Sequence, residues 1–193
     1  MNDKNQPRRL HSTTIAQGDW LRLEEVSFVD QEGHSRTWET STRLGERGAV
    51  YMVTQLRPSD RYVFVKQYRP SPNAEVLEFP AGLIDPDEDP ADTAVRELQE
   101  ETGYRGTLKW LANPSLSSPG MTGEKVYLAI MDVNEEHQAN IDPNQDCDEG
   151  EHIEVLIKSP EEIEAFLKEC ETAGIQLDSR LAAYFLAQGF RWF

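Results

Sequence analysis

An α+β fold is what this sequence predicts, on three observations. Runs with strand character, among them GAVYMVTQL, RYVFVKQY and EKVYLAIMDV, lie on both sides of one short, well-capped helix at 90–102. Two amphipathic helices close the chain, one opening at Ser159 and one at Asp178. A hairpin carrying two tryptophans precedes everything else, dividing the chain into an N-terminal β extension at 1–45 and a main domain at 46–193.

Taken in order, residues 1–14 read as a polar, frayed tail. Residues 19–29 (DWLRLEEVSFV) alternate as a strand, Asp30 to Gly33 is a turn, and 34–41 return. Trp20 and Trp38 stand on this hairpin, placed for core packing, for an interface or for stacking on a purine. Strands at 48–56 and 61–68 flank the turn Arg57 to Asp60, and Arg69 lies just past the second. Pro80 and Gly82 suggest a tight turn that leaves the Ala81 carbonyl free, with Glu78 a carboxylate close by.

The central helix is marked at both ends. Asp89 is the expected N-cap, Pro90 suits the first helical position, Asp92 complements the dipole and Gly103 is the stop. Ala91, Ala94, Val95, Leu98 and Thr102 share the stripe expected to face the core. Glu97, Glu100 and Glu101 crowd a second stripe, where each like-charge pair costs an isolated helix about 0.2–0.5 kcal/mol. That stripe is either a solvated acidic face or an oxygen-ligand set for a hard divalent cation.

Beyond the helix, 107–113 and 124–133 read as strands around the turn-rich SLSSPGMTG. Residues 134–151 are acidic and irregular, long enough for a mobile loop. IEVLIK is a strand. Ser159, Pro160 and Glu162 then open a helix with a capping box, and Asp178 opens the last.

Composition narrows the class. The 193 residues suffice for one domain with a sizeable core. A net charge of −16 opposes a nucleic-acid surface and means that a polyphosphate needs local cations to approach. No apolar run approaches the roughly 18 residues of a membrane helix, and MNDKNQPRR lacks the apolar core of a signal peptide. Cys147 and Cys170 offer neither a disulfide framework nor zinc spacing, so a cytoplasmic location is expected.

Gly82, five residues, Glu88, seven residues and then Arg96-Glu97-Leu98-Gln99-Glu100-Glu101-Thr102-Gly103-Tyr104 fill every defined position of the Nudix box. On these residues the chain resembles the Nudix hydrolases, which cleave nucleoside diphosphates linked to another moiety. GDWLRLEEVSFVDQEGHSRTWET, VKQYRP, LEFPAGLID, the SPG loop, GEHIEV and LDSRLAAYFLA extend the resemblance to the ADP-ribose (ADP-sugar) pyrophosphatases. Pro119, sixteen residues beyond Gly103, matches that family's substrate marker. The resemblance implies an α/β/α sandwich with a mixed central sheet plus an N-terminal antiparallel sheet or hairpin. It also implies Mg²⁺-dependent hydrolysis of ADP-ribose to AMP and ribose 5-phosphate, with Mn²⁺ able to substitute, by a homodimer that exchanges N-terminal strands.

Carried over residue by residue, Glu97, Glu101 and the Ala81 carbonyl resemble the metal ligands, with Glu100 a further candidate. Arg96 would orient the glutamates. Trp20 and Trp38 match an adenine-stacking pair drawn from different subunits, Arg43 and Arg69 match contacts to the base or diphosphate, and Leu83 lines the substrate. Glu151 matches a loop carboxylate that serves as general base, with Asp148 and Glu149 as neighbouring candidates. Ser118 departs from the acidic residue expected before the Pro-Gly, which touches recognition of the terminal ribose. Two alternatives remain: a different Nudix substrate (GDP-mannose, a dinucleoside polyphosphate or an oxidised nucleoside triphosphate), and a non-catalytic module that senses ADP-ribose.

Overall fold

The computed structural model describes residues 6–45 and 47–193. Two sheets organise it. The smaller is antiparallel, with β1 (Arg8–Gln17), β2 (Leu21–Val29) and β3 (Ser35–Arg43) in that order. The larger contains β4 (Ala49–Arg57), β5 (Tyr62–Arg69), β6 (Ala74–Glu78), β7 (Ala81–Leu83), β8 (Thr107–Leu111), β9 (Ser115–Leu116), β10 (Lys125–Asn134), β11 (Glu154–Lys158) and β12 (Gln176–Leu177). Helices α1 (Pro90–Thr102), α2 (Ile163–Thr172) and α3 (Ser179–Ala187) complete the chain.

β1 corrects the expectation of a frayed tail over residues 6–14; residues 1–5 lie outside the described part. The strand was hidden because all ten of its residues are exposed, so no apolar alternation announces it. Backbone pairing with β2 holds it, helped by Glu24. That carboxylate is buried at the middle of the sheet, accepting from Ser12 Oγ at 3.0 Å and from Thr42 Oγ1 at 2.6 Å, and so links all three strands.

The large sheet is mixed. β10 runs parallel to β4 and β12 parallel to β6, while the other pairings are antiparallel. β4 and β5 pair only at Thr54↔Val63 and Gln55↔Tyr62. Beyond those rungs the hairpin opens, β6 pairs along β5 from Val65 to Arg69, and β7 pairs with Ala49 to Tyr51 of β4. The chain crosses from one to the other at Phe79-Pro80, where the Pro80 carbonyl accepts from the Met52 amide at 2.8 Å. A cleft lies where the two strands part.

Strand alternation then fills two faces. Val50, Met52, Leu56, Val63, Ala129, Met131 and Val133 pack with Ala94 and Leu98 of α1. Val53, Tyr62, Phe64, Leu77 and Phe79 pack on the other face with Phe166 of α2 and Leu181 and Phe185 of α3. The rings of Phe64, Phe79 and Phe185 lie 5.7 to 6.1 Å apart, a close aromatic cluster. This is the expected three-layer sandwich with a helix layer on each side of the sheet. Glu162 accepts from the Ser159 amide as the capping box requires, although its first turn is 3₁₀ and α2 proper starts at Ile163.

Candidate active site

The cleft has a volume of about 570 Å³. One wall is α1. Asp89 caps it by accepting from the Ala91 amide, and Gly103 ends it at φ 75°, a left-handed conformation that glycine adopts without strain. The predicted core stripe is rotated slightly: Thr93, Ala94, Leu98 and Thr102 are buried, whereas Val95 is 41% exposed. That rotation turns Glu101 inward, to 5% exposure, and places Glu97 beside it on the cleft.

Gly82 lies in a strand rather than in the expected tight turn. Its value is space: a Cβ there would stand 1.8 Å from the Glu97 Cδ, so the glutamate rests against bare backbone. The neighbouring Ala81 amide donates to Glu101 Oε2 at 2.9 Å, which ties β7 to the helix face.

Arg96 is the electrostatic hub. Nε and Nη2 bind the two oxygens of Glu88 at 2.9 and 2.8 Å, while Nη1 reaches Glu97 at 2.9 Å and Glu100 at 2.7 Å. Its guanidinium holds the Glu88 carboxyl down at about 2. The cleft carboxyls move the other way. Burial pushes Glu97 up to about 7 against the pull of Arg96, and burial pushes Glu101 up to about 8, with Glu97 and Glu151 adding repulsion. Such an all-oxygen set, desolvated and mutually repelling, fits a hard divalent cation, and Glu97, Glu100, Glu101 and the Ala81 carbonyl are the groups that could hold it. Among the described residues, the three carboxylate or imidazole groups that converge within 4.8 Å lie elsewhere, at Asp30, Glu32 and His34 in the exposed β2–β3 turn. The helix carboxylates do not converge as closely, since Arg96 and the Ala81 amide hold their oxygens.

The opposite wall supplies cations. Arg69, at the end of β5, pairs with the buried Glu78 at 2.8 Å, and Arg43 pairs with Glu124 at 3.3 Å. Both line the cleft, as does Leu83. Asp148 and Glu151 line its mouth and Glu149 does not. Their loop is fastened more firmly than its composition suggests. The Gln145 side-chain Nε2 donates to the Glu101 carbonyl at 2.6 Å and the Ile153 carbonyl at 3.0 Å, and the Asp146 backbone amide donates to the Glu100 carbonyl at 2.9 Å. The loop thereby satisfies carbonyls at the end of α1 that would otherwise face water.

Trp20, Trp38 and Pro119 stand outside this lining within the single chain. Trp20 is 75% exposed and Trp38 54% exposed, the latter donating its indole N–H to the Gly120 carbonyl at 3.1 Å beside Pro119. Sequence reasoning missed six cleft residues: Ala49, Tyr51, Gln67, Asp85, Glu124 and Arg180. Nothing in their spacing separates them from ordinary strand, loop and helix positions.

A model of the NUDIX domain matches residues 45–174, two thirds of the chain. The chain belongs to the NUDIX family. Its Nudix box is the β7–α1 unit just described. The chain is 34% identical to an ADP-sugar pyrophosphatase of Mus musculus over 149 residues, covering 74% of this chain and 68% of the relative. It is 30% identical to an ADP-ribose pyrophosphatase of Saccharomyces cerevisiae over 174 residues, 84% and 74% of the two chains. A solved structure described as an ADP compounds hydrolase superposes with a TM-score of 0.66 at 21% identity, over 87% of this chain and 86% of that one, and so shares the fold. Among the described residues, no helix is long and apolar enough to cross a membrane.

Proposed function

We propose that this Nudix protein hydrolyses the diphosphate bond of ADP-ribose and related ADP-sugars, using Mg²⁺, with Mn²⁺ able to substitute. Supporting this is one observation above the rest: two glutamates on α1, the half-buried Glu97 and the buried Glu101, line one cleft with Arg69 in a chain whose relatives carry ADP-sugar and ADP-ribose pyrophosphatase names. Glu97, Glu100, Glu101 and the Ala81 carbonyl would hold the cation. When bound, it neutralises charge on the diphosphate and makes water more acidic.

The remaining work falls to the chain itself. Arg69 and Arg43 receive the anionic substrate in a strongly acidic protein, and Arg69 stabilises charge as the P–O bond breaks. Leu83 packs against the substrate. Glu151 takes a proton from the attacking water, at the mouth where Asp148 is its neighbour. The water oxygen joins one phosphorus and the bridging oxygen leaves with the other, giving AMP and ribose 5-phosphate. Arg96 keeps the glutamates oriented.

The N-terminal extension belongs to the same proposal. Trp20 and Trp38 are large exposed rings on one small sheet, suited to sandwiching adenine once a second copy supplies the facing ring in a strand-exchanged homodimer. Pro119 and Ser118 shape the loop beneath Trp38. The unpaired cysteines, Cys147 and Cys170, fit a reducing cytoplasm.

The test is to incubate purified protein with Mg²⁺ and ADP-ribose in ¹⁸O-labelled water and analyse products by mass spectrometry. AMP plus ribose 5-phosphate is expected, the label marking the phosphorus attacked. Intact ADP-ribose alongside cleaved GDP-mannose or dinucleoside polyphosphate would replace the substrate, and survival of them all would leave a binding module.

A further inference from the structure

Arg180 is a cleft cation outside the Nudix box. It lies in α3, beyond the residues matched by the family model. Its position is a poor one for a positive charge, in the first turn, where the helix dipole favours anions. The N-cap Asp178 compensates: Oδ1 accepts from Nε at 2.9 Å and Oδ2 accepts from Nη2. The guanidinium also sits over the Tyr51 ring, its carbon 3.7 Å from the centroid.

The Asp178 fork uses Nε and Nη2, and the ring contact holds the group from a second side. Nη1, with two N–H donors, has no hydrogen-bond partner among the described residues, yet is not among their buried unpartnered atoms. Arg180 lines the same cleft as Arg69, and Glu78, the partner of Arg69, lies within electrostatic reach of it. A guanidinium half-removed from water, immobilised on two sides and left with one open pair of donors on an anion-receiving cleft is preorganised for an oxyanion.

We propose that Arg180 binds the diphosphate of the substrate through Nη1, as a second guanidinium working with Arg69. The inference rests on reading the cleft as a nucleoside-diphosphate site. It makes α3, beyond the residues matched by the NUDIX domain model, part of the binding surface.

The test titrates two probes, inorganic pyrophosphate and the non-hydrolysable α,β-methylene analogue of ADP-ribose, by calorimetry in Mg²⁺ buffer at two KCl concentrations. The proteins are wild type, Arg180→Gln and Arg180→Lys, each first melted without ligand to establish that it is folded. Arg180→Gln should bind both probes about ten- to a hundredfold more weakly, with a shallower salt dependence. Arg180→Lys, which keeps the charge but not the fork or the guanidinium–ring contact, should weaken binding roughly tenfold. A folded Arg180→Lys or Arg180→Gln that binds both probes within twofold of wild type overturns the proposal and leaves Arg180 as a tie between α3 and β4. Should Arg180→Gln not fold, Arg180→Lys decides alone. Wild type that binds pyrophosphate but not the analogue sinks the ADP-ribose reading, while the pyrophosphate series still judges Arg180. Wild type that binds neither sinks both.

Discussion

Replacing Glu101 by Gln should stabilise the protein and disable it together, and the two effects separate by pH. In the metal-free fold the Glu101 carboxyl is raised from 4.5 to about 8, chiefly by burial. Folded protein therefore holds a proton that the unfolded chain releases, so this group favours folding fully below pH 4.5 and loses that contribution as pH rises through about 8. At ~1.4 kcal/mol per pKa unit the ceiling on the loss is about 5 kcal/mol, and relaxation and water entry reduce it to roughly 2–4. Gln keeps an acceptor for the Ala81 amide and never ionises. Without divalent cation, Glu101→Gln should thus melt about 5–10 °C above wild type at pH 9 and within about 2 °C of it at pH 4.5. Adding Mg²⁺ at pH 9 should raise wild type selectively, and kcat of the variant should fall by orders of magnitude. Differential scanning calorimetry at the two pH values is the assay. A variant less stable than wild type at pH 9, or equally shifted at both pH values, would refute the burial argument.

Three further perturbations test other parts of the structure. Gly82→Ala inserts a methyl where Glu97 now rests, so kcat should fall about a hundredfold while far-UV circular dichroism stays native, and unchanged turnover would show that the close approach is dispensable. Phe185→Ala removes a fully buried ring from the aromatic cluster and should cost about 3–5 kcal/mol in urea unfolding; a loss under 1 kcal/mol would mean that the cluster repacks. Gln145→Ala cuts two bonds to carbonyls and should cost about 1–3 kcal/mol, with faster amide exchange over 145–153 and a severalfold lower kcat. Unchanged exchange would show that the loop is held by other means.

How much of this was legible beforehand depended on local signals. α1 was read to the residue because Asp89, Pro90 and Gly103 mark both ends by backbone chemistry alone. Its buried face was read less well: Val95 lies on the edge of the apolar arc, and packing selected Thr93 instead. β1 escaped notice because its pairing rests on backbone bonds and on one buried glutamate twelve residues away. β6, β7 and β12 have five, three and two residues, too few for periodicity to act on, and the splaying of β4 from β5 that opens the cleft is a property of pairing. The cluster of glutamates was visible because a helix brings i and i+4 together. Tyr51, Gln67 and Arg180 come to the cleft from three separate elements, an arrangement that only the tertiary fold makes.

The small sheet meets the rest of the chain through few handholds. Trp38 Nε1 reaches the Gly120 carbonyl, and Thr40 Oγ1 and the Ser41 amide both reach the Met121 carbonyl. Two adjacent peptide oxygens in one surface loop, with the Arg43–Glu124 pair and the Ser41–Thr122 bridge beside them, thus hold a sheet that carries two large rings. Changes to that loop can re-aim the rings while β7 and α1, which hold the carboxylates, stay as they are. The rings and the carboxylates are thus held by separate parts of the chain, and a substitution in that loop can shift the first set without touching the second.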